Sequence, residues 1–304
     1  MRKDLPQKVE LHEVVMRDGI QNEKKIVPTA EKVKLVNRLA ACGLKRIEVS
    51  SFVNPRLVPQ MADAEELWGQ IKRKEGVVYS ALILSERGLD QAVRCDVPHV
   101  GIFVSASETH SMKNSNKSIA EAAKEAVRLI DRARSSGMEV RAGVMNAFGC
   151  AYEGKVPVEK VTGLVGDLMK AEPDEICLAD TSGMANPWQM RDVLSLVKEV
   201  AGDKAISLHL HNTRGMGLAN VWAALQEGIT IFDTSLGGVG GCPFIPGAKG
   251  NIATEDTVYM LEDMGIETGI DLNRLIEVSL NFEKFFGQIF PSMVSHLNKG
   301  VTSS

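Results

Sequence analysis

The most informative local feature of this 304-residue chain is a pair of histidines one residue apart, His209-Leu210-His211. They close the run 205–211 (AISLHLH), which is short and aliphatic enough to be a buried β-strand. Alternate side chains of a strand share a face, so the two imidazoles project together. Such a pair suits a divalent cation, and hard oxygens such as Asp18 and Asn251 would complete the set. Mixed nitrogen and oxygen ligation favours Mg2+ or Mn2+ over a thiolate-bound zinc. The competing reading, two hydrogen-bonded core histidines, loses ground once an Asp and an Asn stand at other strand ends.

Other reactive side chains gather at similar places. Arg17 precedes Asp18 and Gly19, and is read either as half of a surface ion pair or as a fixed guanidinium that stabilises charge developing on a substrate oxygen. The glycine after the pair would let the chain turn sharply out of a strand. Glu48 lies in a second strand-like run, and Asp180 ends a third. The loop 237–251 (GGVGGCPFIPGAKGN) holds Cys242. That thiol is either inert packing or a proton donor and acceptor on a loop that closes over substrate. Cys42, Cys95 and Cys177 fall in helix or strand patterns and read as core, with Cys150 ambiguous. His12, His99, His110 and His296 have no convergent partners in sequence and read as structural or surface residues.

These residues need a scaffold that delivers strand ends to one place. Strand-like runs occur at 9–15, 44–50, 77–83, 99–105, 139–145, 175–180, 205–211 and 231–236. Amphipathic stretches lie between many of them, at 29–42, 60–74, 116–136, 157–171, 187–200 and 216–227. Strand–helix units at this spacing predict a (β/α)8 TIM barrel, in which useful side chains sit at the C-terminal strand ends and in the loops beyond. A doubly wound sheet is disfavoured because no GxGxxG follows the first strand. The expectation is one domain over 1–304, with the barrel at about 8–268 and an added C-terminal helical segment at about 269–298.

Composition narrows the function. The hydrophobic fraction of 44% supports a large core, and 35 Lys+Arg against 39 Asp+Glu leave a net charge of −4. That balance argues against a nucleic-acid partner. No apolar run approaches a bilayer span, so no membrane association is expected. The basic N-terminus lacks an apolar region and the chain ends in VTSS rather than a peroxisomal signal. Five cysteines without a CxxC pair fit a reduced, cytoplasmic protein.

Several segments carry a family resemblance. VVMRDGIQNE, IEVSSFVNPRLVPQMAD, CAYEGKV and GGVGGCPFIPGAKGNIATEDTVYMLE resemble the 3-hydroxy-3-methylglutaryl-CoA lyases across about residues 9–275. The cysteine-loop segment is the most specific of these, whereas the Arg-Asp-Gly element is shared with condensing synthases of related barrels. The resemblance implies a TIM barrel, a Mg2+ or Mn2+ cofactor and retro-Claisen cleavage of a 3-hydroxyacyl-CoA to acetyl-CoA and a keto acid. By matched motif, Asp18, His209, His211 and Asn251 would hold the metal. Arg17 would stabilise the enolate, Glu48 would hold the metal-site network, and Cys242 would donate a proton. Asp180 also matches an active-site position, and Lys113 and Asn114 would approach CoA. The general base is unassigned, Asp18 being one candidate. A homodimer or higher homo-oligomer is implied by the resemblance alone.

The departures concern the neighbours of these residues. Val15-Met16 stand where the family has Gly-Pro, Ala179 replaces a glycine, and Ser182-Gly183 replace Ile-Gly. After the second histidine the chain reads Asn212-Thr213-Arg214-Gly215 in place of Asp-Thr-Tyr-Gly. The acyl group can therefore differ, as citramalyl or a longer branched 3-hydroxyglutaryl ester. Arg214 is expected either to add a cation near the substrate carboxylate or a CoA phosphate, or to be a solvated helix-start arginine. A condensing synthase, or a silent acyl-CoA-binding relative, are the alternatives in other classes.

Overall fold

The computed structural model describes residues 5–240 and 250–297. Eight strands, β1 (Glu10–Glu13), β2 (Arg46–Phe52), β3 (Val78–Ile83), β4 (His99–Ser105), β5 (Glu139–Met145), β6 (Glu175–Asp180), β7 (Ala205–Leu210) and β8 (Ile231–Thr234), run in parallel and close into a barrel. The first strand completes the ring against the last, with His12 opposite Asp233. The helices between strands are α1 (Thr29–Ala41), α2 (Ala64–Gln70), α3 (Glu86–Arg94), α4 (Glu108–Ser115), α5 (Ile119–Ser135), α6 (Val158–Met169), α7 (Pro187–Ala201) and α8 (Gly217–Gln226). Two more follow β8, α9 (Thr254–Asp263) and α10 (Leu272–Phe286). The architecture is the expected (β/α)8 barrel, and α10 is the expected C-terminal addition. No helix among the described residues is long and apolar enough to cross a membrane.

Aliphatic side chains between strands and helices form the main core, with Val36, Leu39, Leu44, Ile47, Val49, Leu208, Leu210 and Phe232 fully buried. The barrel interior is different. Arg141 on β5 reaches across it to Asp233 on β8, His12 on β1 and Ser207 on β7. A guanidinium buried there is tolerable only because all three of its nitrogens are bonded.

Two local expectations are corrected. The helix expected over 116–136 is α5, but the polar segment before it, which offered no helical signal in sequence, is α4, which ends on Asn116 in the left-handed region, φ 54°. Ser118 then starts α5 with a reciprocal capping box to Glu121, which satisfies two backbone N–H groups at the helix start. The Arg17-Asp18-Gly19 element does not end a strand. β1 stops at Glu13, and Val15–Gly19 form one π-helical turn in which Ile20 N donates to Val15 O at 3.0 Å. Gly19 serves close approach rather than an unusual φ, because a Cβ there would lie 2.9 Å from Ser235 Oγ and from Val15 Cγ2.

Candidate metal centre and active site

The π-helical turn swings Arg17 and Asp18 over the C-terminal mouth of the barrel. Glu13 fixes its start, since its carboxylate accepts from Val15 N (2.9 Å), Leu236 N (2.8 Å) and Thr254 Oγ1 (2.7 Å). That one side chain joins the exits of β1 and β8 to the start of α9. Two strands away around the ring, His209 lies on β7 and His211 just beyond it. Asn251 is set beside them by a short extension of the sheet: Asn212 N donates to Gly250 O (3.0 Å), and Ile252 N to Leu210 O (3.1 Å). This leaves His211 and Asn251 paired across an antiparallel bridge.

The four expected ligands therefore meet. The ligand atoms of Asp18, His209 and His211 all lie within 4.8 Å of one another, and all three residues are buried. Asn251 Nδ2 donates to Asp18 Oδ2 at 2.7 Å. Asn251 Oδ1 is buried without a hydrogen-bond partner among the described residues, so the amide keeps an oxygen for a cation. His209 Nε2 and His211 Nε2 are 3.0 Å apart, the separation of two neighbouring donors each about 2.1 Å from a shared ion. Burial, then His209, pushes the His211 imidazole down to about 4, so it is neutral and ligand-competent near pH 7. Burial works against ionising Asp18, yet the Arg17 guanidinium and both histidines hold its carboxyl down at about 2. One carboxylate, two imidazoles and an amide oxygen fit a divalent cation.

Arg17 is 9% exposed and clamped, with Nε 2.5 Å from Glu48 Oε2 and Nη1 2.5 Å from Asp18 Oδ1. Its surface-pair reading is thereby overturned. Glu48, almost wholly buried, holds the arginine. Arg17, Asp18, His209 and His211 line one wall of a cavity of about 490 Å3. Leu57, Leu82, Leu84, Phe103 and Met145 form its apolar side. Lys113 and Asn114 also line it, from α4, and Lys113 Nζ sits 4.4 Å above the Tyr152 ring.

Other expected residues take different places. Asp180 is fully buried at the end of β6, where its oxygens accept from Met184 N (2.8 Å) and Ala185 N (3.0 Å). Burial pushes its carboxyl up to about 6. It does not line the cavity and instead shapes the β6–α7 loop. Arg214, itself exposed, points its Nη1 at the carbonyls of Ser182 (2.6 Å) and Gly183 (3.1 Å), so it braces that same loop. Cys242 lies outside the described residues.

Three features were missed in the sequence. His110, read as structural or surface, lines the cavity, and burial pushes its imidazole down to about 4. Asp233 lies 2.9 Å from His209 Nδ1, and Arg141 lies beneath it. The signal for these last two was present, because a charged residue inside an otherwise aliphatic strand must have a buried partner.

The HMGL-like family matches residues 8–281. A hydroxymethylglutaryl-CoA lyase of Bacillus subtilis is 42% identical over 287 residues, covering 94% of this chain and 96% of that protein. The human mitochondrial hydroxymethylglutaryl-CoA lyase is 43% identical over 273 residues, covering 90% of this chain and 84% of that protein. Among solved structures, an HMG-CoA lyase from Acinetobacter baumannii in complex with coenzyme A and 3-methylmalate superposes with a TM-score of 0.94. It is 38% identical and covers 98% of this chain and 97% of that one.

Proposed function

The chain belongs to the HMGL-like family and is a carbon–carbon lyase, and from that premise we propose that it cleaves 3-hydroxy-3-methylglutaryl-CoA to acetyl-CoA and acetoacetate with Mg2+ or Mn2+ as cofactor. The observation that carries this reading is the convergence of Asp18, His209, His211 and Asn251 beside a clamped Arg17 at the wall of one cavity. Their roles follow from the chemistry of the bond to be broken.

The C3 hydroxyl loses its proton, the C2–C3 bond breaks, and its electron pair moves through C2 onto the thioester oxygen. C2 then takes up a proton. A divalent cation, when bound, supplies Lewis acidity that acidifies the hydroxyl and orients a substrate carbonyl. Arg17 has Nε and Nη1 committed to Glu48 and Asp18, which leaves Nη2 as donor to the enolate oxygen. That contact strengthens only as charge develops, so it lowers the barrier rather than tightening ground-state binding. Glu48 keeps the guanidinium at a fixed angle. Asp180 keeps the β6–α7 loop against the cavity. Lys113 and Asn114 hold CoA at the cavity wall, and Cys242 delivers the proton to C2.

The experiment is product analysis on a panel of 3-hydroxyacyl-CoA esters that includes citramalyl-CoA and longer branched 3-hydroxyglutaryl esters. Acetyl-CoA and acetoacetate from the methylglutaryl ester, abolished by EDTA and restored by Mg2+ or Mn2+, are expected. A preference for another ester reassigns the substrate. Cation binding without turnover of any ester identifies a silent relative, and net condensation from acetyl-CoA identifies a synthase.

A further inference from the structure

Below the cluster of Asp18, His209 and His211 lies a buried ionic relay that the reaction as written does not use. Asp233 on β8, 1% exposed, faces His209 across the β7–β8 pair. Its Oδ2 is 2.9 Å from His209 Nδ1, while its Oδ1 accepts from Arg141 Nη2 at 2.7 Å and lies 3.2 Å from His12 Nδ1. Arg141 is itself anchored, with Nε 2.9 Å from Glu175 Oε1 and 3.1 Å from Ser207 Oγ. Glu175 in turn accepts from Arg46 Nη2 at 2.6 Å. Two guanidinium groups and two carboxylates thus neutralise one another inside the barrel, which is the condition for keeping charges out of water.

The hydrogen-bond logic of this relay is one-way. A guanidinium only donates, and a carboxylate beside it only accepts. The contact between Asp233 and His209 therefore requires the imidazole hydrogen to be on Nδ1. That leaves Nε2 with a bare lone pair, on the side facing Asp18 and His211. His211 has no comparable support, because its Nδ1 is buried without a hydrogen-bond partner among the described residues.

We propose that Asp233, clamped by Arg141, is a positioning residue that fixes His209 in the Nδ1–H tautomer and so keeps Nε2 available as a ligand. This rests on the reading above that the cluster holds a divalent cation. An outer carboxylate of this kind orients a ligating imidazole and raises its basicity. Asparagine at 233 would reverse the polarity. Arg141 would draw the amide oxygen, the NH2 group would turn to His209, and Nδ1 would have to accept. The hydrogen would then move to Nε2 and cover the lone pair.

The test titrates Mn2+ into metal-free wild-type protein and Asp233→Asn, following free Mn2+ by its electron paramagnetic resonance signal. Binding weaker by roughly tenfold to a hundredfold is expected. Unchanged affinity in a variant whose circular dichroism and melting curve match wild type overturns the proposal. A second measurement decides the matter if the variant does not fold. Wild-type protein carrying 15N-imidazole is examined by nuclear magnetic resonance, with the His209 signals identified through His209→Gln. The Nδ1–H tautomer is expected, and an Nε2–H tautomer overturns the proposal. Both readouts concern the ion and the imidazole, so they decide it even if no acyl-CoA ester is cleaved.

Discussion

The sharpest perturbation is Arg17→Lys, because it keeps the positive charge and removes only the geometry. Arginine reaches Glu48 with Nε and Asp18 with Nη1, both at 2.5 Å, and still has Nη2 to offer. A lysine has one nitrogen on a shorter reach. Its three N–H groups radiate from one atom and cannot reproduce the planar fork that spans Glu48, Asp18 and a substrate oxygen together. Two losses follow, and they separate experimentally. Leaving Glu48 or Asp18 unpaired, each under a tenth exposed, loosens the cation site, which saturating Mn2+ offsets by mass action. Losing the donor to the enolate is not offset, and removal of one such donor costs about 3–4 kcal/mol, or about 100-fold to 1000-fold in kcat. The assay is steady-state cleavage at saturating Mn2+, coupled to acetyl-CoA release. The expected pattern is a fall in kcat of that size with KM within about threefold of wild type, the signature of an interaction made only in the transition state. A variant that keeps kcat within about threefold refutes the role assigned to Arg17.

The remaining predictions probe the surroundings of the site. Gly240→Ala places a Cβ 2.6 Å from Asn251 Nδ2 on a residue at φ 122°, and is expected to displace Asn251 and weaken Mn2+ binding by about 1–3 kcal/mol; calorimetric titration showing unaltered affinity would falsify this. Asp180 carries a folded-state value of about 6 against an ordinary 3.8, so its stabilising contribution is full below about 4 and lost as pH rises through 6. Relative to Asp180→Asn, wild type should lose about 2 kcal/mol of stability between pH 4 and pH 7; parallel denaturation curves at the two pH values would contradict it. Arg214→Ala is expected to lower stability by about 1–3 kcal/mol through two freed carbonyls, with KM for every accepted ester unchanged. A raised KM at unchanged melting temperature would instead make Arg214 a substrate contact.

The strands were legible because a parallel barrel buries both faces of each one, which leaves short aliphatic runs with little else in them. The runs at 99–105, 139–145 and 175–180 coincide with β4, β5 and β6. The His209/His211 pair was legible for the same reason, since a strand dictates where alternate side chains go. Arg17 and Asp18 were identified by type, but their placement was not, because nothing in VMRDG announces a π-helical turn. α3 escaped notice as a helix of nine residues rich in charge, and α4 because its eight residues are mostly polar. The loop contacts of Arg214 were not legible because one sequence cannot distinguish a guanidinium aimed at a ligand from one aimed at loop carbonyls. Asp233 was passed over as an ordinary member of its strand. Its meaning depends on Arg141, more than 90 residues earlier in the chain, and only ring closure brings the two together.

That closure has a temporal consequence. Asp18 leaves the ribosome early, His209 and His211 much later, and Asn251 later still, so no fragment lacking the final strand can assemble the coordination set. Seam formation between β1 and β8 is then a precondition for capturing the ion. A bound cation would rivet the two ends of the sheet together, and its removal should loosen the seam first, making amide exchange in β1 and β8 rise before that in β4 and β5.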